Sequence, residues 1–172
     1  LVEPAQVLEE GVVDLYVLVD NYLDTYPERY LRLFNAWLPP NVFYLEASGI
    51  RVKYAVISLK DFEAGCERWF HSYLWSRFAQ PVRLLYTRDQ GVRDRIYRSL
   101  AGSVIKFLKT TVPAAGTDPV NAEAVWINGL SLSYAAELRP ETRERARYIT
   151  HQNLGDLIRL TCAAAPALAD LL

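Results

Sequence analysis

The sequence predicts an α/β (α+β) chain: a mixed sheet with flanking helices over residues 1–88, followed by a helical part over residues 89–172. Three observations carry this. The run VVDLYVLVD at 12–20 is Val-rich and apolar, as a buried strand is. Up to residue 86 the pattern reads strand, helix, hairpin, helix, strand. Beyond Asp89 apolar residues recur only at helical spacing, interrupted by TTVPAAGTDPV at 110–120. The natural boundary lies near residue 88.

Residues 1–11 read as a lead-in loop or short helix. In the strand at 12–20, alternation puts Asp14, Tyr16, Leu18 and Asp20 on one face and Val13, Leu15, Val17 and Val19 on the other. An unpaired acid inside such a run costs on the order of several kcal/mol. Asp14 therefore calls for a metal, an Arg or Lys, or a strand end, and Asp20 reads as that end. Asp24-Thr25-Tyr26-Pro27 supplies a capping residue and an early proline for a helix carrying Tyr30, Leu31, Phe34, Trp37 and Leu38. Pro39-Pro40-Asn41 stops it. Residues 42–46 and 50–58 form two strands joined by Ala47-Ser48-Gly49. Ser58 and Asp61 resemble a capping box with Asp in place of Glu. They open a helix whose stripe is Phe62, Cys66, Trp69, Tyr73 and Arg77. Gln80-Pro81 breaks it before a short strand at 82–86.

In the helical part, Val92, Ile96, Leu100, Val104, Phe107 and Leu108 mark a helix of about five turns. The linker at 110–120 follows. Asp118-Pro119 starts a helix through Leu130, and Arg139-Pro140-Glu141 starts a last one through Leu160, before the apolar tail AAAPALADLL.

Composition excludes several classes. A net charge of −1 gives no basis for binding nucleic acid wholesale. Two distant cysteines, Cys66 and Cys162, form neither metal spacing nor a disulfide framework, which points to a reducing compartment. No apolar run reaches the roughly 18–20 residues of a membrane span, and no signal peptide is visible. The chain contains no Met and starts at Leu1, which reads as a domain with its start removed. There is no G-x-S-x-G, P-loop or H-E-x-x-H. His71 and His151 read as surface histidines. Among the cations, Lys53 shares a strand face with Arg51 and Ala55, Arg77 ends its helix stripe, and Arg83 follows Pro81. Converging on the acidic strand they would bind an anion such as a triphosphate. Otherwise they are solvated faces.

IRVKYAVIS at 50–58, followed by W-x-x-x-Y-x-x-x-R-x-x-x-P-V-R (Trp69, Tyr73, Arg77, Pro81, Val82, Arg83), resembles the Tam41/Mmp37 family of mitochondrial-type phosphatidate cytidylyltransferases. That family reads close to IKYGVIS and then W-x-x-L-Y-x-A-G-R-L-x-K-P-V-K. Gly129-Leu130-Ser131 with Ser133-Tyr134-Ala135-Ala136-Glu137-Leu138-Arg139 is similar to its GLSYSGDFR stretch. Residues 141–149 are similar to its E-N-x-x-K-V-x-N-I, and Asp14 to Asp20 match its D-F-x-F-x-V-D. The resemblance spans residues 12–155. It implies a nucleotidyltransferase-like sheet followed by a small winged-helix-like domain. It implies Mg²⁺-dependent conversion of CTP and phosphatidate to CDP-diacylglycerol and pyrophosphate, in phospholipid synthesis. The implied protein is cytoplasmic and peripheral on the inner membrane, or on the matrix side in a mitochondrion. Its apolar tail is a candidate for the membrane surface.

On this resemblance Asp14 and Lys53 are catalytic, with Tyr54, Arg77 and Arg83 on substrate phosphate. Asp14 is the metal ligand, with Glu46 and Asp20 as further candidates. Asp20 lies roughly 20 Å along an extended strand from Asp14. The phosphate-holding Gly-Ser turn of such folds is expected upstream of Leu1. The chain departs from the family at Val12 (no D-x-D pair), at Ala135-Ala136-Glu137 for S-G-D, and at Gly102, where the family has Lys. Its W-H-x-x-N…H-Y-S segment is also missing. The alternatives are a nucleotidyltransferase with another acceptor and a non-catalytic nucleotide-binding module of the same fold.

Overall fold

The computed structural model describes residues 12–47, 49–115, 121–136 and 143–169. The contacts divide the chain into two compact units, residues 1–63 and 64–172. The division falls inside a helix, at a different place from the composition change near residue 88.

The first unit is built on a three-stranded sheet of order β1-β3-β2, with β1 Val12–Val19, β2 Asn41–Ala47 and β3 Ile50–Ser58. β1 runs parallel to β3 and β2 antiparallel to it. The central strand is the most buried at its C-terminal end, where Ala55, Val56, Ile57 and Ser58 are all inside. The hairpin turns where Gly49 takes φ 77°, a left-handed value that costs glycine nothing.

One face of the sheet packs against the segment between β1 and β2. Tyr22, Tyr26 and Val56 are its buried centre, with Val19, Leu31, Phe43 and Tyr54 around them. Asn35 is fully buried there. It accepts from the Tyr26 hydroxyl (2.5 Å) and donates to the Val56 carbonyl (3.1 Å), so each of these buried polar groups has a partner.

Helix α1 is Arg29–Trp37 and starts later than Asp24-Thr25-Tyr26-Pro27 suggests. Asp24 is used locally instead. Its backbone N–H donates to the Asn21 side chain (3.0 Å), which donates back to the Asp24 carboxylate (2.7 Å). Such Asx geometry competes with helix initiation.

Helix α2, Leu59–Glu67, opens as expected. The Asp61 N–H donates to Ser58 Oγ (3.0 Å), and Ser58 Oγ donates to the Asp61 carboxylate (2.8 Å). The long stripe to Arg77 is corrected. The helix ends at Glu67, and only Trp75–Phe78 (α3) is helical again. The chain folds back because Gly65 leaves room for Leu74. A Cβ at Gly65 would collide with the Leu74 side chain.

The strand expected at 82–86 is also corrected: residues 81–87 are irregular. Val82, Leu85 and Tyr86 are exposed there, with no buried face to hold a strand.

From Gln90 on, the described residues of the second unit are mainly helical: α4 Gln90–Ala115, α5 Ala122–Ala136, α6 Arg143–Gln152, α7 Leu154–Ala164 and a 3₁₀ turn, Ala165–Leu168. Asp89 caps α4 by accepting from the Val92 N–H (2.8 Å), and this bond holds its carboxyl below the usual range. α4 runs through the expected linker as far as Ala115, across Pro113. Thr111 and Val112 are buried in this stretch, and tertiary packing outweighs the proline. Residues 116–120, including Asp118-Pro119, lie outside the described residues, as do residues 1–11 and Arg139-Pro140-Glu141. The single last helix is two, broken at Asn153. That side chain donates back to the Ile149 carbonyl (2.8 Å) as α7 begins.

The core of this unit centres on Phe107, Trp126, Leu130 and Leu157, all fully buried. Phe107 stacks on Trp126 at 4.5 Å between ring centroids. α4 and α5 approach closely because position 129 is glycine. A Cβ there would strike Phe107 and Thr111.

Candidate functional site

Directly opposed positions in a sheet share a face. The parallel register sets Asp14 opposite Lys53, and Tyr44 lies on Lys53's other side. The next row is Val12, Arg51 and Glu46. One sheet face therefore collects Asp14, Lys53, Tyr44, Arg51 and Glu46. Toward the C-terminal end of β3 the same face closes over Ala55 and Ile57. At the other end it is open: Asp14, Arg51 and Glu46 are exposed, Lys53 is half-buried and Tyr44 is 74 % exposed.

This arrangement sorts the residues singled out from the sequence. It brings Asp14 and Lys53 together. It sets Glu46 on the far strand, one row away. With strands about 4.8 Å apart and about 3.3 Å per residue, its backbone lies roughly 12 Å from that of Asp14. Asp20 lies just beyond the end of β1, which runs unbroken from Val12 to Val19. Neither acid belongs to the Asp14–Lys53 row.

Tyr54 is on the opposite face, stacked on Phe43 at 5.3 Å between ring centroids. It belongs to the aromatic core of the first unit and not to the Asp14–Lys53 row. Arg77 and Arg83 belong to the second unit. Arg77 is half-buried in α3, its guanidinium 5.9 Å from the centre of the Tyr73 ring. Arg83 is exposed in the irregular segment.

Among the described residues no group of three or more His, Cys, Asp and Glu is arranged to hold a metal. The residues fit Mg²⁺ in one form only, Asp14 plus oxygens of a bound phosphate. Mg²⁺ commonly takes one or two carboxylates with substrate phosphates and water.

Both histidines are exposed. His71 lies against Trp69, and His151 meets the Glu123 carboxylate at 2.8 Å. Cys66 is buried, Cys162 is exposed, and neither is in a disulfide.

Two clusters escaped the sequence reading. In the first, the Tyr22 hydroxyl donates to the Asp61 carboxylate (2.6 Å) and accepts from the Ser58 N–H (2.9 Å). It ties the segment after β1 to the start of α2. Burial, reinforced by the hydrogen bond to Asp61, pushes the Tyr22 phenol up from 10.0 to about 12. The folded state thus holds this proton more tightly than the unfolded chain. Its contribution is complete below pH 10 and is lost as pH rises from 10 toward 12. Tyrosine absorbance should show one phenol ionising late in the native protein. Tyr22→Phe should remove that late step and flatten the stability loss in this window. An unchanged titration in the variant would assign the late phenol elsewhere.

In the second cluster, Lys106 donates to the carbonyls of Glu67 (3.1 Å) and Trp69 (2.7 Å), satisfying the end of α2. Burial lowers its pKa. It lines a surface cavity of about 400 Å³ with Glu67, Gly102, Ile105, Lys109 and Thr110. Gly102 is one turn before Lys106 on α4, and a Cβ at Gly102 would press on Glu67. No sequence signal marks Lys106, because its partners are backbone carbonyls.

The GLSYSGDFR-like stretch enters the core of the second unit. Leu130 and Tyr134 are buried, and Ser133 Oγ donates to Ser76 Oγ (2.6 Å). Glu137, Leu138 and Arg139 lie outside the described residues.

No family model matches this chain, and no curated protein matches it. No helix among the described residues is long and apolar enough to cross a membrane.

Proposed function

We propose that this protein is a Mg²⁺-dependent nucleotidyltransferase that converts CTP and phosphatidate to CDP-diacylglycerol and pyrophosphate. In this reading the first unit is nucleotidyltransferase-like and the second winged-helix-like. The protein works in the cytoplasm or matrix, peripherally on a membrane. The carrying observation is the β1–β3 register, which sets Asp14 beside Lys53 on the open half of the sheet. The ordered resemblance over residues 12–155 gives that pair its chemistry.

A phosphatidate oxygen attacks the α-phosphorus of CTP, and the bond to the pyrophosphate oxygen breaks. Mg²⁺, when bound, neutralises the charge that develops and aligns attacker and leaving group. Asp14 supplies a carboxylate on a rigid strand for that ion. The Lys53 ammonium, half-buried and fixed by β3, holds phosphate oxygens as a point charge. The resemblance assigns Arg77 and Arg83 to phosphate as well, and their permanent charge suits that role.

The same pairing favours a second reading, in which Asp14 and Lys53 are a cross-strand ion pair in a nucleotide-binding module without turnover. A nucleotidyltransferase with another acceptor is the remaining alternative.

Labelled CTP, Mg²⁺ and phosphatidate vesicles test these readings. CDP-diacylglycerol and pyrophosphate should appear in equal amounts and vanish with a chelator. Transfer to other acceptors but not to phosphatidate would sink the lipid assignment. Calorimetric binding of Mg²⁺-CTP without any turnover would select the binding module.

A further inference from the structure

Helix α1 carries an apolar stripe outward. Tyr30, Leu33, Phe34, Trp37 and Leu38 recur at i, i+3, i+4, i+7 and i+8, which makes one face of a helix. All five are more than half exposed, from 55 % at Phe34 to 80 % at Trp37. The helix is not short of a buried side, because Leu31 and Asn35 already face the sheet. The stripe is therefore surplus to the packing of this unit. Contiguous exposed apolar surface of this kind marks an interaction site.

The chemistry around the stripe narrows the partner. Helical geometry puts Arg29 on the flank away from the sheet, bordering the stripe at Leu33. The helix RYLRLFNAW contains no acid. Arg32 lies on the other side of the helix, beside Asn35, its guanidinium held by the carbonyls of Tyr26 (2.6 Å) and Pro27 (3.2 Å). Trp and Tyr are the side chains that settle at a water–hydrocarbon boundary, apolar body inward and polar edge in the headgroups. A short amphipathic helix with Trp, Phe and Leu on one side, Arg29 at its edge and no acid within it suits the plane of an anionic bilayer surface.

We propose that α1 is the element that seats this protein on a membrane, its Tyr30–Trp37 stripe in the interface and Arg29 against anionic headgroups. The choice of a bilayer over a protein partner rests on the lipid-phosphate reading above. The stripe and its flanking charge stand on α1 alone.

The test uses the whole protein with phosphatidylglycerol–phosphatidylcholine vesicles and no nucleotide, read by co-sedimentation. Wild type should bind, and the double variant Leu33→Ser/Trp37→Ser should bind at least ~10-fold more weakly, since two large apolar side chains no longer enter the interface. Arg29→Glu should weaken binding to these vesicles and leave binding to pure phosphatidylcholine vesicles unchanged. These side chains are exposed, so circular dichroism should show an unaltered fold.

Wild type that stays in the supernatant, or a double variant that binds equally well, would overturn the proposal. So would a wild-type dimer that the double variant abolishes without change in vesicle binding, which would make the stripe a contact between two copies. A companion assay separates this from the enzymatic reading. The α1 variant should lose turnover on vesicular phosphatidate and keep it on dispersed short-chain phosphatidate. If neither form is converted, the lipid-substrate assignment falls, while vesicle binding still decides the role of α1.

Discussion

Asp14→Ala is expected to abolish nucleotidyl transfer, lowering turnover by ~10³-fold or more, with the fold retained. A catalytic metal supplies several kcal/mol of charge stabilisation in the transition state, and each ~1.4 kcal/mol is a factor of ten in rate. Glu46, on the far strand, and Asp20, beyond the end of β1, do not occupy the position of Asp14 beside Lys53. Stability should change little. Asp14 is exposed, and an exposed cross-strand contact contributes only about 0.2–1 kcal/mol. Turnover by Asp14→Ala and Asp14→Asn, with thermal melts alongside, checks this. If Asp14 is only the partner of Lys53, the result reverses. Turnover then survives in Asp14→Ala, and the losses in Asp14→Ala and Lys53→Ala are not additive, because each removes the same pair.

Trp126→Ala should be the most damaging single change to the helical unit, costing about 3–5 kcal/mol. The side chain is fully buried and stacks on Phe107, and its Nε1–H donates to Thr161 Oγ1 at 2.9 Å. Truncation leaves a cavity among α4, α5 and α7 and removes that partner. Urea unfolding followed by near-ultraviolet circular dichroism should show the second unit melting early. Trp126→Phe keeps the ring packing and should lose much less. Equal losses in the two variants would move the importance from the packing to the hydrogen bond with Thr161.

Where an element depends on its own residues, it was legible. The hairpin around Gly49 and the Ser58–Asp61 capping pair stand as read, and the Val-rich run at 12–20 is a strand, though an edge strand with no buried residue and not the buried one its composition suggests. Their signals are local: β-branched alternation, a turn glycine, and side chains within reach of the nearest N–H groups. The misread elements had signals that tertiary contacts outweighed. Asp24 and Pro27 read as a helix start, yet Asn21 engages Asp24 in a turn. The stripe from Phe62 to Arg77 has helical spacing, but Gly65 lets the chain fold back onto α2. Residues 82–86 have strand composition and no sheet edge to join. Pro113 reads as a breaker, yet burial of Thr111 and Val112 carries α4 past it.

The candidate site divides in the same way. From the sequence alone came the residue types and their faces: Asp14 central in a strand, Lys53 on the polar side of another, an anion as the natural ligand of the cations. Alternation fixes which residues share a face of one strand, because the side-chain period is two. It does not fix which strands are neighbours or in what register. Only the fold decided that β3 lies between β1 and β2, which sets Asp14 opposite Lys53 and Glu46 on the far strand. Only the fold turned Tyr54 into the aromatic core, tied Tyr22 to Asp61 and left the α1 stripe in solvent. These outcomes depend on contacts between residues distant in the chain, and the preferences of a single segment carry no information about them.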